Sequence, residues 1–194
     1  MCGIIFSNNK KSILKQIDKL VLRGNQTWSL TKFQTSNQYE YYKGDGKFNQ
    51  YDLISDNVFQ LIHLQSMTGL VARHHPAKFK CSKLWHNGMI IGQQKNQWDT
   101  LWLCKQLDEG SKYSEVLSNI HGSFGCIFQN KDNELYVFRN ELIPIYYNKI
   151  QLSSIPFENS QMLPSNTIFK IDLDKQTLEE LSAFGTKNMP YYIL

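Results

Sequence analysis

Cys2 stands directly after the initiator methionine. Its small side chain permits removal of Met1, which leaves one residue carrying both a thiol and a free α-amine. An α-amine has an unperturbed pKa of roughly 7.7–8.0, so it accepts a proton near neutral pH. Nucleophile and base then sit on one residue, the N-terminal variant of nucleophilic catalysis. Two further positions have chemistry to match. In His86-Asn87-Gly88 the Asn side-chain amide and the Gly backbone N–H are neighbours, and acyl transfer needs such donors aimed at a developing oxyanion. In Trp98-Asp99-Thr100 the carboxylate can hold a substrate ammonium. Taken singly, each has a plainer reading. Cys2 is then a small core residue of an apolar first strand. Asn-Gly is a hairpin turn, and Asp99 is an N-cap ahead of Leu101-Trp102-Leu103.

The order of the motifs is more specific than any one of them. Met-Cys-Gly-Ile is followed by Arg23-Gly24, His63 with Thr68-Gly69, His75-Pro76, Leu84-Trp85-His86-Asn87-Gly88 and Asp99-Thr100. Gly122-Ser123-Phe124-Gly125, Arg139-Asn140-Glu141-Leu142 and Pro144-Ile145-Tyr146-Tyr147 complete the run. Over residues 2–170 this resembles the class II glutamine amidotransferase domain. That is the N-terminal-nucleophile fold of asparagine synthetase, glucosamine-6-phosphate synthase and amidophosphoribosyltransferase. The resemblance implies an α+β fold, a four-layer αββα sandwich of two antiparallel sheets. It implies that Cys2 attacks the side-chain amide of glutamine, that Asn87 and Gly88 are the oxyanion donors, and that Asp99 holds the α-ammonium. It puts His86, Thr68 and Gln65 on the substrate side of the site. The reaction implied is hydrolysis of L-glutamine to glutamate through a γ-glutamyl thioester. Ammonia passes to a separate partner synthase, with no cofactor and no metal.

One departure bears on the substrate. The family carries Arg in a His-x-Arg strand motif, where it binds the α-carboxylate of glutamine, whereas this chain reads His63-Leu64-Gln65. A glutamine donates hydrogen bonds but has neither charge nor a bidentate fork. Losing one partner of a buried charge pair costs on the order of 2–5 kcal/mol. At ~1.4 kcal/mol per decade that weakens binding at least ~30-fold unless something compensates. Arg73, on the following loop, is the candidate replacement cation; its plainer reading is a solvent-facing arginine. Gln65 therefore keeps open an amide hydrolase for a different substrate, and a second alternative of another class is a binding or regulatory subunit that retains the fold without the activity. Arg139-Asn140, where Arg-Asp is usual, reads as structural.

The remaining composition bounds the setting. The chain has 194 residues, 41% of them hydrophobic and 20% charged, which suffices for one ordinary core over residues 1–194, with no synthase domain. Its net charge of +4 is scattered, with no basic run longer than Lys10-Lys11, so nothing signals nucleic acid. No apolar stretch approaches the ~20 residues of a membrane span, and the first residues lack the pattern of a signal peptide. Four cysteines (Cys2, Cys81, Cys104, Cys126) are too few for a disulfide scaffold and fit a reducing cytoplasm. Cys104 and Cys126 read as core. His74, His75, Cys81 and His86 lack the paired spacing of a zinc site.

These residues must be positioned by regular elements. A first strand ends at Ser7-Asn8-Asn9, which caps a helix over 10–23 with Ile13, Leu14, Ile17, Leu20 and Val21 at helical spacing and Gly24 as its stop. Strands are expected over 28–33, 39–42 and 58–64, with a hairpin turn at Asp45-Gly46. Residues 66–82 read as a loop, and 84–91 as a strand interrupted at Asn87-Gly88. Helices over 99–109 and 113–120 follow, then a hairpin around Lys131-Asp132-Asn133 and strands over 143–147, 150–154 and 167–173. The tail after Leu181, with Tyr191 and Tyr192, is either a last strand or a docking surface. This order predicts two antiparallel sheets with helices outside, rather than a βαβ alternation.

Overall fold

A computed structural model describes residues 2–66, 73–91 and 97–185. The first strand, β1 (Gly3–Ser7), is buried throughout. Asn9 then caps α1 (Lys10–Val21), its side-chain carbonyl accepting the Ser12 N–H at 2.8 Å. Three strands follow: β2 (Thr27–Phe33), β3 (Tyr39–Asp45) and β4 (Phe59–Gln65). Next come β5 (Ala77–Phe79), β6 (Ser82–Ile91), α2 (Asp99–Glu109) and α3 (Tyr113–Ser118). The second half is all strand: β7 (His121–Gln129), β8 (Leu135–Arg139), β9 (Tyr146–Asn148), β10 (Gln151–Ser153), β11 (Gln161–Met162), β12 (Thr167–Asp172) and β13 (Thr177–Ala183).

These strands build two antiparallel sheets. The first runs β11-β9-β10-β1-β4-β2-β3 and the second β13-β12-β8-β7-β6-β5. Side chains alternate across each strand, and the alternation defines the layers. Ile4 and Phe6 of β1 join Phe33, Phe59, Trp85, Ile127 and Val137 in a core between the sheets. Their neighbour Ile5 packs instead with Ile13, Ile17 and Leu20 of α1. On the far side, Phe124, Cys126 and Phe128 of β7 pack with Leu103, Cys104 and Leu107 of α2 and Leu117 of α3. The result is the four-layer αββα sandwich, with Cys104 and Cys126 in its outer core as expected.

Several boundaries differ from the sequence reading. Helix α1 stops at Val21, two residues short of the expected end, and Gly24 just beyond donates its N–H to the Leu20 carbonyl at 3.2 Å. A Cβ there would lie 2.5 Å from the Leu64 carbonyl oxygen, so glycine permits a close backbone approach to β4. Asp45-Gly46 does not turn a hairpin. It ends β3, and the chain leaves to bury Phe48 edge-on against Trp28. The turn between β2 and β3 lies instead at 34–38, where Gln34 and Thr35 donate their N–H groups to the Gln38 carbonyl. Strand β5 falls within the stretch read as loop, and β13 begins at Thr177, so only its last residues fall in the tail after Leu181 that left a strand open. Its pattern is too polar and exposed to announce a strand, which is formed by pairing with β12. Residues 186–194, including Tyr191 and Tyr192, lie outside the described residues.

Candidate active site

Cys2 immediately precedes β1, a strand held on one side by β4 and on the other by β10. It is 7% exposed. Burial pushes its thiol pKa up, while the Ser66 backbone and the positive charge of Arg23 pull it down and the negative charge of Asp99 adds to the rise. Arg23 and Asp99, both singled out by the motifs, bias the sulfur in opposite directions, each by less than burial does. The thiol is held in its neutral form and needs a base to become a nucleophile.

Asn87-Gly88 is the principal correction to the local reading. The dipeptide makes no turn. Strand β6 runs unbroken through it, with Asn87 opposite Gly125 and Gly88 opposite Phe124. Gly88 has φ +138°, and a Cβ there would fall 2.0 Å from the Ser123 carbonyl oxygen. Glycine is required by both conformation and space. Asn87 is fully buried; its Nδ2 lies 3.5 Å from Ser154 Oγ, and its Oδ1 has no hydrogen-bond partner among the described residues. A buried amide in mid-strand is not the plain hairpin that Asn-Gly first suggests.

Asp99 is the first residue of α2 rather than its N-cap, the cap position being Trp98. Its Oδ1 accepts the Thr100 N–H at 2.7 Å, and its Oδ2 accepts the Ile90 N–H of β6 at 3.2 Å. The side chain is 21% exposed, and a carboxylate has about four acceptor positions, so acceptor capacity remains for a ligand. His86 is buried beside it, with Nδ1 3.1 Å from Thr100 Oγ1 and 3.9 Å from Asp99 Oδ2. Burial lowers its pKa, with Asp99 opposing.

The backbone of His86 is gripped on both sides. His63 Nε2 lies 2.9 Å from its carbonyl oxygen, and its N–H donates to His75 Nδ1 at 3.4 Å. The two gripping rings stack at 3.7 Å. Burial pushes the His63 pKa down to about 3 and that of His75 well below the usual value. Two neutral imidazoles therefore hold β6 immediately before Asn87.

Gln65 ends β4 with its side-chain carbonyl turned inward, accepting from Thr27 Oγ1 at 3.0 Å and from the Arg73 N–H at 3.2 Å. It ties the segment around Arg73 to the first sheet. The Arg73 guanidinium lies over the Trp98 ring, 5.4 Å from its centroid. It faces a groove of about 540 Å³ shared with Tyr41, Lys43, His74 and Lys78, which neither Cys2 nor Asp99 lines. The arginine whose charge acts on Cys2 is Arg23, not Arg73. Thr68 lies outside the described residues.

Sequence reasoning gave no role to Ser154. The serine receives the Ile4 N–H on its Oγ at 3.0 Å, donates its own N–H to the Ile4 carbonyl, and accepts Arg23 Nη1 on its carbonyl at 2.7 Å. A serine just beyond a short strand has no distinguishing pattern in one sequence. Arg139 and Asn140 are structural, as read. Arg139 donates to the Leu163 and Asn140 carbonyls, and Asn140 bonds Gly122 and Phe124 on either side of Ser123. Among the described residues no three potential metal ligands cluster, and no helix is long and apolar enough to cross a membrane.

Two stacked antiparallel sheets, outer helices and a first strand that begins beside a cysteine make up a four-layer αββα sandwich, and this is the architecture the comparison with solved structures returns. Among particular proteins, the structure is similar to the glutamine phosphoribosylpyrophosphate amidotransferase from B. subtilis, solved with ADP and GMP, at a TM-score of 0.66 and 12% identity. It is also similar to the allosteric regulatory enzyme of purine biosynthesis, at a TM-score of 0.64 and 11% identity. Each likeness covers 96% of this chain and 50% of the other, so the chain spans about half the length of the solved structures it matches. No protein-family model and no curated protein matches its sequence.

Proposed function

We propose that this chain is a glutaminase-type amidotransferase domain that hydrolyses L-glutamine and supplies the ammonia to a partner synthase. Removal of Met1 exposes the α-amine of Cys2. That amine takes the thiol proton as the sulfur attacks the amide carbon of the substrate. Asn87 Nδ2 and the Gly88 N–H hold the oxyanion, and Asp99 holds the substrate ammonium. The amine returns its proton to the leaving nitrogen, ammonia departs, and a γ-glutamyl thioester remains. Water then attacks the thioester, releasing glutamate and restoring the thiol.

The observation that carries this reading is the buried Asn87 amide in mid-strand. It lies against the same Ser154 hydroxyl that holds Ile4, two residues from Cys2. A turn does not account for a fully buried amide inside an unbroken strand. The test pairs intact-mass spectrometry with a glutaminase assay. The purified protein is expected to lack Met1 and to release ammonia from glutamine, and Cys2→Ala to release none. Activity surviving in Cys2→Ala, or a retained Met1 together with an inactive protein, would overturn the reading. The second outcome would point to a regulatory subunit of the same fold.

A second reading, an amide hydrolase for a different substrate, is favoured by one observation. The Gln65 carbonyl is engaged with Thr27 and Arg73, and no guanidinium stands in its place to meet an α-carboxylate. Rates on glutamine, glutaminamide and asparagine separate the two. Glutaminamide equalling or exceeding glutamine would favour the second reading.

A further inference from the structure

We propose that Ser154 is a positioning residue that fixes the orientation of the Asn87 amide relative to Cys2. The inference rests on the reading of Asn87 as an oxyanion donor and deepens it. Ser154 lies immediately beyond β10, which pairs with β1. There the serine takes over the ladder, exchanging two hydrogen bonds with Ile4: its Oγ accepts the Ile4 N–H and its N–H donates to the Ile4 carbonyl. The same Oγ accepts from Asn87 Nδ2 across the interface between the two sheets, the one side-chain partner of Asn87 among the described residues. Its carbonyl receives Arg23, whose charge reaches the Cys2 sulfur. One residue, 1% exposed, therefore joins the strand that follows the nucleophile, the cation acting on it and the candidate oxyanion donor.

The chemistry explains why a hydroxyl is needed. A serine oxygen has two lone pairs, and the Ile4 N–H takes one. The other faces Asn87. An Asn side chain has a donor end and an acceptor end of nearly the same shape, so burial alone does not select which end faces the substrate. Ser154 Oγ, which already accepts from Ile4, meets the Nδ2 end at 3.5 Å and holds the amide by that end. The Nδ2 group has two protons: one goes to Ser154 and the second stays free for an oxyanion. With alanine at 154, the amide loses the contact that sets its rotation.

The test uses the full chain and two readouts. In steady-state glutamine hydrolysis, Ser154→Ala is expected to lower kcat about 10-fold or more, because a misdirected oxyanion donor stabilises the transition state and not the ground state. KM is expected to stay within about twofold, and the rate of Cys2 alkylation by iodoacetamide, which uses no oxyanion donor, to stay the same. Ser153→Ala is the control. Ser153 is as buried, but among the described residues its hydroxyl meets the Ile155 N–H alone, and full kcat is expected. The second readout is NMR of the Asn87 side-chain amide. In the wild-type protein one of its two protons is expected to be protected from exchange, and in Ser154→Ala that protection is lost. A wild-type amide with both protons exchanging freely, or a Ser154→Ala variant with unchanged kcat, overturns the proposal. A wild type that does not hydrolyse glutamine overturns the glutaminase reading instead, and the amide protection still decides the positioning.

Discussion

At the scale of single residues, the site separates a buried thiol from its base. Burial raises the Cys2 pKa, so the sulfur is protonated at neutral pH, and the proposed base is the α-amine of the same residue. Below roughly pH 7.7–8.0 that amine is itself protonated and cannot accept. The kcat/KM for glutamine is therefore expected to fall as the pH drops through this range, a limb that a pH–rate profile reads directly. A profile flat from pH 6 to 9 would rule the amine out as base. In the proposed mechanism Asn87 and Asp99 act on different steps. Asn87→Ala is expected to lower kcat by about 10²–10³-fold, as removal of an oxyanion donor does elsewhere. Asp99→Asn is expected to raise KM and spare more of kcat, since an ammonium contact is made in the ground state as well. Because Asp99 also accepts the Ile90 N–H, a thermal melt of Asp99→Asn separates lost binding from lost structure.

At the scale of elements, β6 is the part that concentrates the requirements. It passes from the His86 backbone, gripped by two imidazoles, through the buried Asn87 to Gly88, pressed against the Ser123 carbonyl. Asn140 fixes the opposing strand by bonding Gly122 and Phe124. Gly88→Ala combines a positive φ with a 2.0 Å approach, and a strained φ alone costs about 1–3 kcal/mol. Denaturant titration is expected to show a loss at the upper end of that range or beyond. A change under about 0.5 kcal/mol, the scale of an ordinary surface substitution, would contradict the strand geometry. The sequence reading of β6 was half right for a physical reason. Leu84-Trp85-His86 and Met89-Ile90-Ile91 are visible strand residues, but Asn-Gly has the local preferences of a turn. What holds it extended is pairing with β7, where Asn87 and Gly88 face Gly125 and Phe124, 38 and 36 positions away in sequence, and neighbours that distant leave no signal in the dipeptide itself.

At the scale of the whole molecule, the sandwich stores neutral histidines in its interior. His63 and His75 have pKa values lowered by burial, and His86 is lowered as well with Asp99 in opposition. The unfolded chain binds protons at these rings below about pH 6.5 while the folded chain does not, so protonation favours unfolding. Their contribution is complete above about pH 6.5 and is lost progressively as the pH falls toward 3, the direction expected for depressed values. Between pH 6 and 5, above most carboxylate titration, each such histidine changes stability by up to about 1.4 kcal/mol per pH unit. Urea midpoints measured across that interval are expected to fall, and the fall to shrink in a folded His75→Asn variant; a midpoint constant over the interval would contradict a buried neutral pair. The core between the sheets carries the other large share of stability. Phe6 stacks on Phe59 with centroids 5.3 Å apart, and both lie in that layer. Phe6→Ala is expected to cost about 3–5 kcal/mol, measured by the same titration.

The sequence by itself determined the layers and the candidate chemistry. Apolar residues at period two and period 3.6 are local facts, so α1, α2 and most central strands were readable from them, and so was the ordered series of motifs from Cys2 to Asp99. Tertiary structure decided which of those residues meet. Strand pairing held Asn-Gly extended, turned Gln65 toward Thr27 and the Arg73 backbone, aimed the Arg73 guanidinium at a separate groove, and brought Ser154 against Ile4, Arg23 and Asn87. The residues in these contacts are separated by up to 150 positions along the chain, as Ile4 and Ser154 are, and no local pattern encodes a neighbour that distant.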